Sequence, residues 1–327
     1  MRKNQRRAFL VASSALLFAP LAASAQNAQN ARRIAILEQG DREARGYLWR
    51  IFDARMRELG YIEGQNLFVD RRWANGVDGR LPQLAQEVLA GRPEVVLVTT
   101  TTGTQALMRL TDTIPIVTLG TGDPVATGLV ASLARPGGNV TGISNLLGAV
   151  AVKRIELLRE INPKARRFAL LGPATSRGIQ ATLEQAQEAT RPQGLDVRLL
   201  DVGDDTAITS AFERLGTEPV DGLIVSSVLY VHRRQIVELA ARFRIPAAYV
   251  EKAYLEAGGL IVLGPESEPL YRHAADYTHR ILLGARPADM PVMQPTEFWL
   301  GVNLRTARAL GLKIPQSVLI RANRVIE

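Results

Sequence analysis

Val95-Val96-Leu97-Val98-Thr99-Thr100-Thr101-Thr102-Gly103-Thr104 is the stretch on which the fold turns. Four apolar residues in a row, three of them β-branched, suit a short strand buried on both faces. Four threonines and a glycine follow, and Thr104–Leu110 then has helical periodicity. A doubly buried strand that runs through hydroxyls into a helix is the unit of a parallel α/β sheet. Outward from this stretch the pattern repeats. Strands are expected at Ile34–Leu37, Leu67–Asp70, Ile116–Leu119 and Val140–Ile143, and helices at Tyr47–Leu59, Leu81–Ala90 and Val125–Leu133.

The same alternation restarts after Val140–Ile143. Helices are expected at Val152–Glu160, Ile179–Thr190, Ala207–Leu215 and Gln235–Phe243. The strands between them are Phe168–Leu171, Val197–Val202, the wholly apolar Leu223–Val225, and Ala247–Val250. Right-handed crossovers wind each half into an open sheet with helices on both faces. Pro, two Gly and Asn interrupt the pattern, and the boundary between the halves is placed near Pro136–Asn145. Residues 32–143 with about 260–290 form the first lobe, and 144–259 the second. Residues 291–327, with a strand at Phe298–Val302 and a helix at Leu304–Leu310, cross the hinge and pack on the lobes. The expected fold class is therefore α/β: two doubly wound parallel-sheet lobes joined by a hinge.

The amino terminus carries a different signal. Arg2, Lys3, Arg6 and Arg7 precede an apolar run from Ala8 to Leu21, closed by Ala23-Ser24-Ala25. This is a secretory signal peptide, residues 1–25, with cleavage after Ala25. Its apolar run is broken by Ser13, Ser14 and Pro20 and is too short for a permanent membrane span. Arg6-Arg7 before Phe9-Leu10 also fits a twin-arginine export signal. Cleavage leaves 302 of the 327 residues, with 36 basic and 32 acidic side chains, so the net charge drops from +8 to +4. That excess is spread thinly and favours solubility over nucleic-acid binding. The chain has no cysteine, which excludes a thiol nucleophile, a thiolate metal site and a lipid-bearing anchor residue. The expected location is the periplasm.

In open parallel sheets, ligands sit beyond the carboxyl ends of the strands. Gln39 follows the first strand, and Thr100, Thr101 and Thr102 follow the third. Hydroxyls ahead of a helix N-terminus can seat an anion, although threonine there also serves as an ordinary N-cap. Asp123 before Pro124 has the same two readings: a cap, or a carboxylate facing a ligand ammonium. Asn145 sits at the lobe boundary. In the second half the candidates are Thr175, Ser226, Ser227, Tyr230 and Glu251. The three histidines show no metal-ligand spacing, and no nucleophile elbow, phosphate loop or dinucleotide fingerprint occurs. No metal, no cofactor and no catalytic residue is expected.

Four strings together carry a family resemblance: DPVATGLVASLARPGGNVTGIS (Asp123–Ser144), EAGGLIVLGPE (Glu256–Glu266), PADMPVMQPTEFWLGVNLRTARALGL (Pro287–Leu312) and IPQSVLIRANRVIE (Ile314–Glu327). With them, residues 33–327 resemble the ABC-transporter substrate-binding proteins of the tryptophan/tyrosine type. The resemblance implies a type I periplasmic-binding fold that closes on its ligand by hinge motion. It also implies a small polar ligand such as an amino acid, an inner-membrane ABC permease as partner, and a monomer. Thr101 and Thr102 would hold the carboxylate of an amino acid and Asp123 its ammonium. The first loop, Glu38-Gln39-Gly40-Asp41, is acidic and offers no aromatic platform. Three other readings share the fold: a sensor subunit presenting its ligand to a membrane receptor, an exported α/β enzyme, and a repressor effector domain. The last would need a DNA-binding headpiece where the signal peptide stands.

Overall fold

A computed structural model describes residues 31–327; the signal peptide expected at 1–25 lies outside them. The first sheet contains β1 (Arg32–Glu38), β2 (Leu67–Trp73), β3 (Val95–Val98), β4 (Ile116–Thr121) and β5 (Val140–Ser144). They pair in the order β2-β1-β3-β4-β5, all parallel. Its helices are α1 (Arg42–Glu58), α2 (Leu81–Ala90) and α3 (Thr101–Met108). Successive strand side chains point to opposite faces, and the core divides accordingly. Ile34, Ile36, Val95 and Leu97 join one apolar cluster with Leu48, Trp49 and Phe52 of α1. Ala35, Leu37, Val96 and Val98 join another with Leu84 and Val88 of α2 and Leu107 of α3. Apolar residues on both faces of the strands thus give a sheet wound on both sides.

The second lobe holds α4 (Leu147–Ile161), β6 (Arg167–Gly172), α5 (Arg177–Thr190), β7 (Asp196–Asp201), α6 (Asp205–Leu215) and β8 (Gly222–Val225). It continues with α7 (Arg233–Arg242), β9 (Ala247–Tyr249), the short α8 (Lys252–Glu256) and β10 (Ile261–Pro265). Next comes α9 (Ser267–Leu282), then β11 (Phe298–Asn303), α10 (Leu304–Leu310), α11 (Gln316–Arg321) and β12 (Arg324–Ile326). The strand order is β12-β11-β10-β9-β8-β6-β7, with only β10 and β11 antiparallel. Ala169 and Leu171 face a cluster with α6 and α7, while Phe168 and Leu170 face one with α4 and α5.

Three details depart from the sequence expectation. The segment from about 260 does not belong to the first lobe at its start. Gly258 takes a φ of 103° and turns the chain so that Ile261 and Val262 pair beside Ala248 and Tyr249 of β9, in the second sheet. Only then does the chain cross over, and α9 packs on α1 through Leu270, Tyr271 and Ala274. The helix expected at Val125–Leu133 is instead a set of turns. Leu129 and Val130 both donate to the Pro124 carbonyl, and Gly128 at φ 72° reverses the chain before a second helical turn can form. β12 and α11 had no counterpart in the sequence reading; β12 pairs with β11 at the outer edge of the sheet. The chain passes between the sheets after β5, after β10, and again between Met293, which bridges Ile143, and β11.

Candidate functional site

The carboxyl ends of the two sheets face each other across a cavity of about 80 Å³. The first lobe supplies Glu38, Gln39, Thr99, Thr100, Gly120 and Asn145 from its strand ends and Arg45 from α1. The second supplies Ser227, Val228, Val250 and Glu251. Ser267, Leu270 and Tyr271 of α9 complete the wall.

Glu38 ends β1 directly after the apolar run Ile34–Leu37 and is 2% exposed. Its burial is offset by three donors: Gly40 N–H at 2.9 Å and Thr99 Oγ1 at 3.1 Å on one oxygen, and Trp49 Nε1 at 2.9 Å on the other. Asp41 caps α1, accepting from Ala44 N–H at 2.7 Å, and so starts the helix that aims Arg45 across the cleft. A Cβ on Gly40 would stand 2.6 Å from Arg45 Cγ, so glycine leaves room for the arginine stem. Arg45 then forms a two-pronged ion pair with Glu251, Nη1 to Oε2 at 2.6 Å and Nη2 to Oε1 at 2.8 Å. The same guanidinium lies 4.1 Å from the Tyr230 ring centroid. Burial opposes the charge of Arg45, but Glu251 and Glu38 outweigh it and hold its pKa above the ordinary guanidinium value. Burial pushes the Glu251 carboxyl upward while Arg45 pulls it back. The net effect leaves the Glu251 carboxyl above its ordinary value, while the guanidinium keeps its proton.

Gln39 adds a second bond between the lobes, Nε2 donating to the Val228 carbonyl at 3.1 Å. Tyr271 sits edge-on to Trp49 at 5.2 Å, and burial, with Glu38 nearby, raises its hydroxyl pKa well above the usual value. Beside the second-lobe wall, the guanidinium of Arg154 is 2% exposed and donates to the Leu263 and Val225 carbonyls at 3.1 and 3.3 Å. No carboxylate pairs with it among the described residues, and burial lowers its pKa to about 9.

Of the candidates from the sequence, the structure brings Gln39, Thr100, Asn145, Ser227 and Glu251 to the cavity wall. The Thr100 hydroxyl is taken up as the cap of α3, accepting from Gly103 N–H at 3.1 Å. Thr101 is buried against Gly178 of the opposite lobe, and Thr102, half-buried, is off the wall. Asp123 is corrected from the cleft to the surface. It is exposed, and its Oδ1 accepts from Val125 and Ala126 N–H at 2.9 and 3.0 Å, so the side chain closes a surface turn where a helix cap was expected. Thr175 is exposed and off the wall, and Ser226 is buried with its hydroxyl unpartnered. Tyr230 is not on the wall either; its ring is sandwiched between Arg45 and Arg233.

The sequence reading missed Arg45, Glu38 as a buried anchor, and Tyr271. A lone carboxylate ending an apolar strand, and an arginine one turn beyond an N-cap aspartate, were visible signals. Tyr271 had none, because its helix reaches the site from the far end of the chain.

Residues 44–326 match the family described as ABC transporter substrate binding protein. A tyrosine-binding protein of Clostridioides difficile (strain R20291) is 25% identical over 268 residues, covering 80% of this chain and 76% of the relative. A conserved domain protein from Vibrio cholerae superposes with a TM-score of 0.82 at 26% identity, covering 90% of this chain and 99% of its own. The ABC domain in complex with L-Trp from Streptococcus pneumonia shares the fold, with a TM-score of 0.81 at 24% identity over 90% of this chain and all of its own. The two wound sheets, the cavity between their carboxyl ends and the match over nearly the whole chain converge: this protein belongs to the ABC transporter substrate-binding proteins and has the type I periplasmic-binding fold.

Proposed function

We propose that this protein is the solute receptor of an ABC importer. It is exported by residues 1–25, holds an amino acid or closely related polar metabolite between its lobes, and hands it as a monomer to an inner-membrane permease without transforming it. One observation carries the reading: the cavity is walled by strand ends from both sheets, so any solute held there touches both lobes and stabilises their closure. Gln39, Thr100, Asn145, Ser227 and Glu251 supply polar contacts. The relatives named for tyrosine and bound to L-Trp support an amino acid as the class of solute.

Isothermal calorimetry against the twenty L-amino acids and a set of small metabolites tests the proposal. Saturable one-site binding, with the solute recovered unchanged and a smaller radius of gyration by X-ray scattering, is the expected result. A folded protein that binds none of them, or that converts what it binds, would overturn it.

A further inference from the structure

Arg45 and Glu251 are the only oppositely charged side chains on the cavity wall that come from different lobes. Glu38, the third charge on the wall, is already held by three donors. The Arg45–Glu251 pair therefore resembles a solute zwitterion in its parts: one cation and one carboxylate, with 13% and 14% of their side chains exposed, spanning the gap. With the pair joined, the cavity of about 80 Å³ lies far below the roughly 300 Å³ at the lower end of small-molecule sites. A solute of ordinary size has to part the two side chains to enter. Parting them leaves a guanidinium and a carboxylate, each largely shielded from water, without partners, a costly state unless the solute supplies both opposite charges. The wall also holds two carboxylates against one guanidinium, so an anion lacking an ammonium meets net repulsion.

Building on the amino-acid reading, we propose that recognition is an exchange of ion pairs. Arg45 passes from Glu251 to the carboxylate of an α-amino acid, and Glu251 takes that amino acid's ammonium. The site thereby selects solutes that carry both groups. Arg45 is kept in place for this by the Tyr230 ring, and Glu251 by its position two residues after β9.

Three probes test the exchange: the L-amino acid that binds tightest to the wild type, its decarboxylated amine, and its deaminated acid. On the wild type, losing either group weakens binding by about 30-fold or more, as for a buried charge left unpaired. Glu251→Gln weakens the amino acid by a similar factor and strengthens the deaminated acid, which finds Arg45 free and one carboxylate fewer. Arg45→Gln weakens the amino acid and strengthens the amine, which finds Glu251 free. Glu251→Asp, which keeps the charge, restores most of the preference for the amino acid and stands in should the glutamine variant not fold. Equal weakening of the amino acid and its deaminated acid by Glu251→Gln, or no preference for the ammonium in the wild type, overturns the exchange and leaves the receptor reading intact. Failure of every amino acid to bind the wild type overturns both.

Discussion

The indole N–H of Trp49 donates to Glu38 Oε2 at 2.9 Å, tying the middle of α1 to the end of β1 inside the first lobe. Trp49 is 2% exposed and also meets Phe52 and Tyr271 edge-on. Trp49→Phe keeps most of the apolar area and removes the donor. It leaves a buried carboxylate oxygen unpaired, at a cost of about 2 kcal/mol or more. Urea unfolding should register that loss, and an unchanged midpoint would show that Glu38 does not need the indole.

Asp123 caps a surface turn instead of gripping a solute. Asp123→Ala should lower stability by about 1 kcal/mol, the usual worth of such a cap, and leave solute affinity unchanged. Calorimetry on the variant separates the two effects. Weakened binding would return Asp123 to the site.

Gly142 and Gly284 share a left-handed backbone, φ 129° and 99°, but not their surroundings. A Cβ on Gly142 would stand 2.2 Å from the Thr118 carbonyl oxygen in the adjacent strand, whereas one on Gly284 meets nothing within 4 Å. Gly284→Ala should therefore cost only the backbone strain of about 1–2 kcal/mol. Gly142→Ala adds a clash with main chain that cannot rotate away, and should cost several kcal/mol or abolish folding. Comparable thermal midpoints for the two variants would contradict this.

Burial raises the hydroxyl pKa values of Tyr249, Tyr254 and Tyr271. In the unfolded chain these groups titrate near pH 10, roughly their ordinary value. The folded state holds its protons longer, so this stabilising contribution is complete below about pH 10 and is lost as the pH climbs beyond it. The urea midpoint should fall above that pH. Phenolate absorbance should rise together with the loss of far-ultraviolet ellipticity. Full ionisation of all tyrosines in a still-folded protein would refute the coupling.

Tyr254 stacks on Tyr249 at 4.6 Å, yet its buried hydroxyl has no hydrogen-bond partner among the described residues. Tyr254→Phe keeps the ring and removes the unpaired group, so stability should stay level or rise by about 1 kcal/mol. A clear drop in the thermal midpoint would point to a partner for that hydroxyl.

What the sequence revealed was whatever local chemistry determines. Val95–Val98 and Leu223–Val225 were legible as doubly buried strands because all four residues of β3 and of β8 are buried, leaving no room for polar alternation. Gln39, Ser227 and Glu251 were legible because strand-end loops must face the cleft in any parallel sheet. Val125–Leu133 misled because its apolar spacing mimics a helix, while Gly128 settles the backbone. Asp123 misled because a turn-closing side chain and a ligand-gripping one have the same local sequence, and Thr101 because its packing against Gly178 comes from the opposite lobe. Arg45 and Tyr271 depend on which distant elements meet: Arg45 on the approach of Glu251 from the second lobe, Tyr271 on the crossing of α9 to the first lobe.

That crossing has a consequence for how the polypeptide is made. One face of the amino-terminal sheet is sealed by α9, Ser267–Leu282, through Leu270, Ala274 and Ile281. A ribosome delivers that helix only after β6 through β10 of the second sheet have been synthesised. The earlier half must wait beside the growing chain with part of its greasy surface uncovered, and a gene cut at the apparent border between halves would yield a piece unable to finish itself.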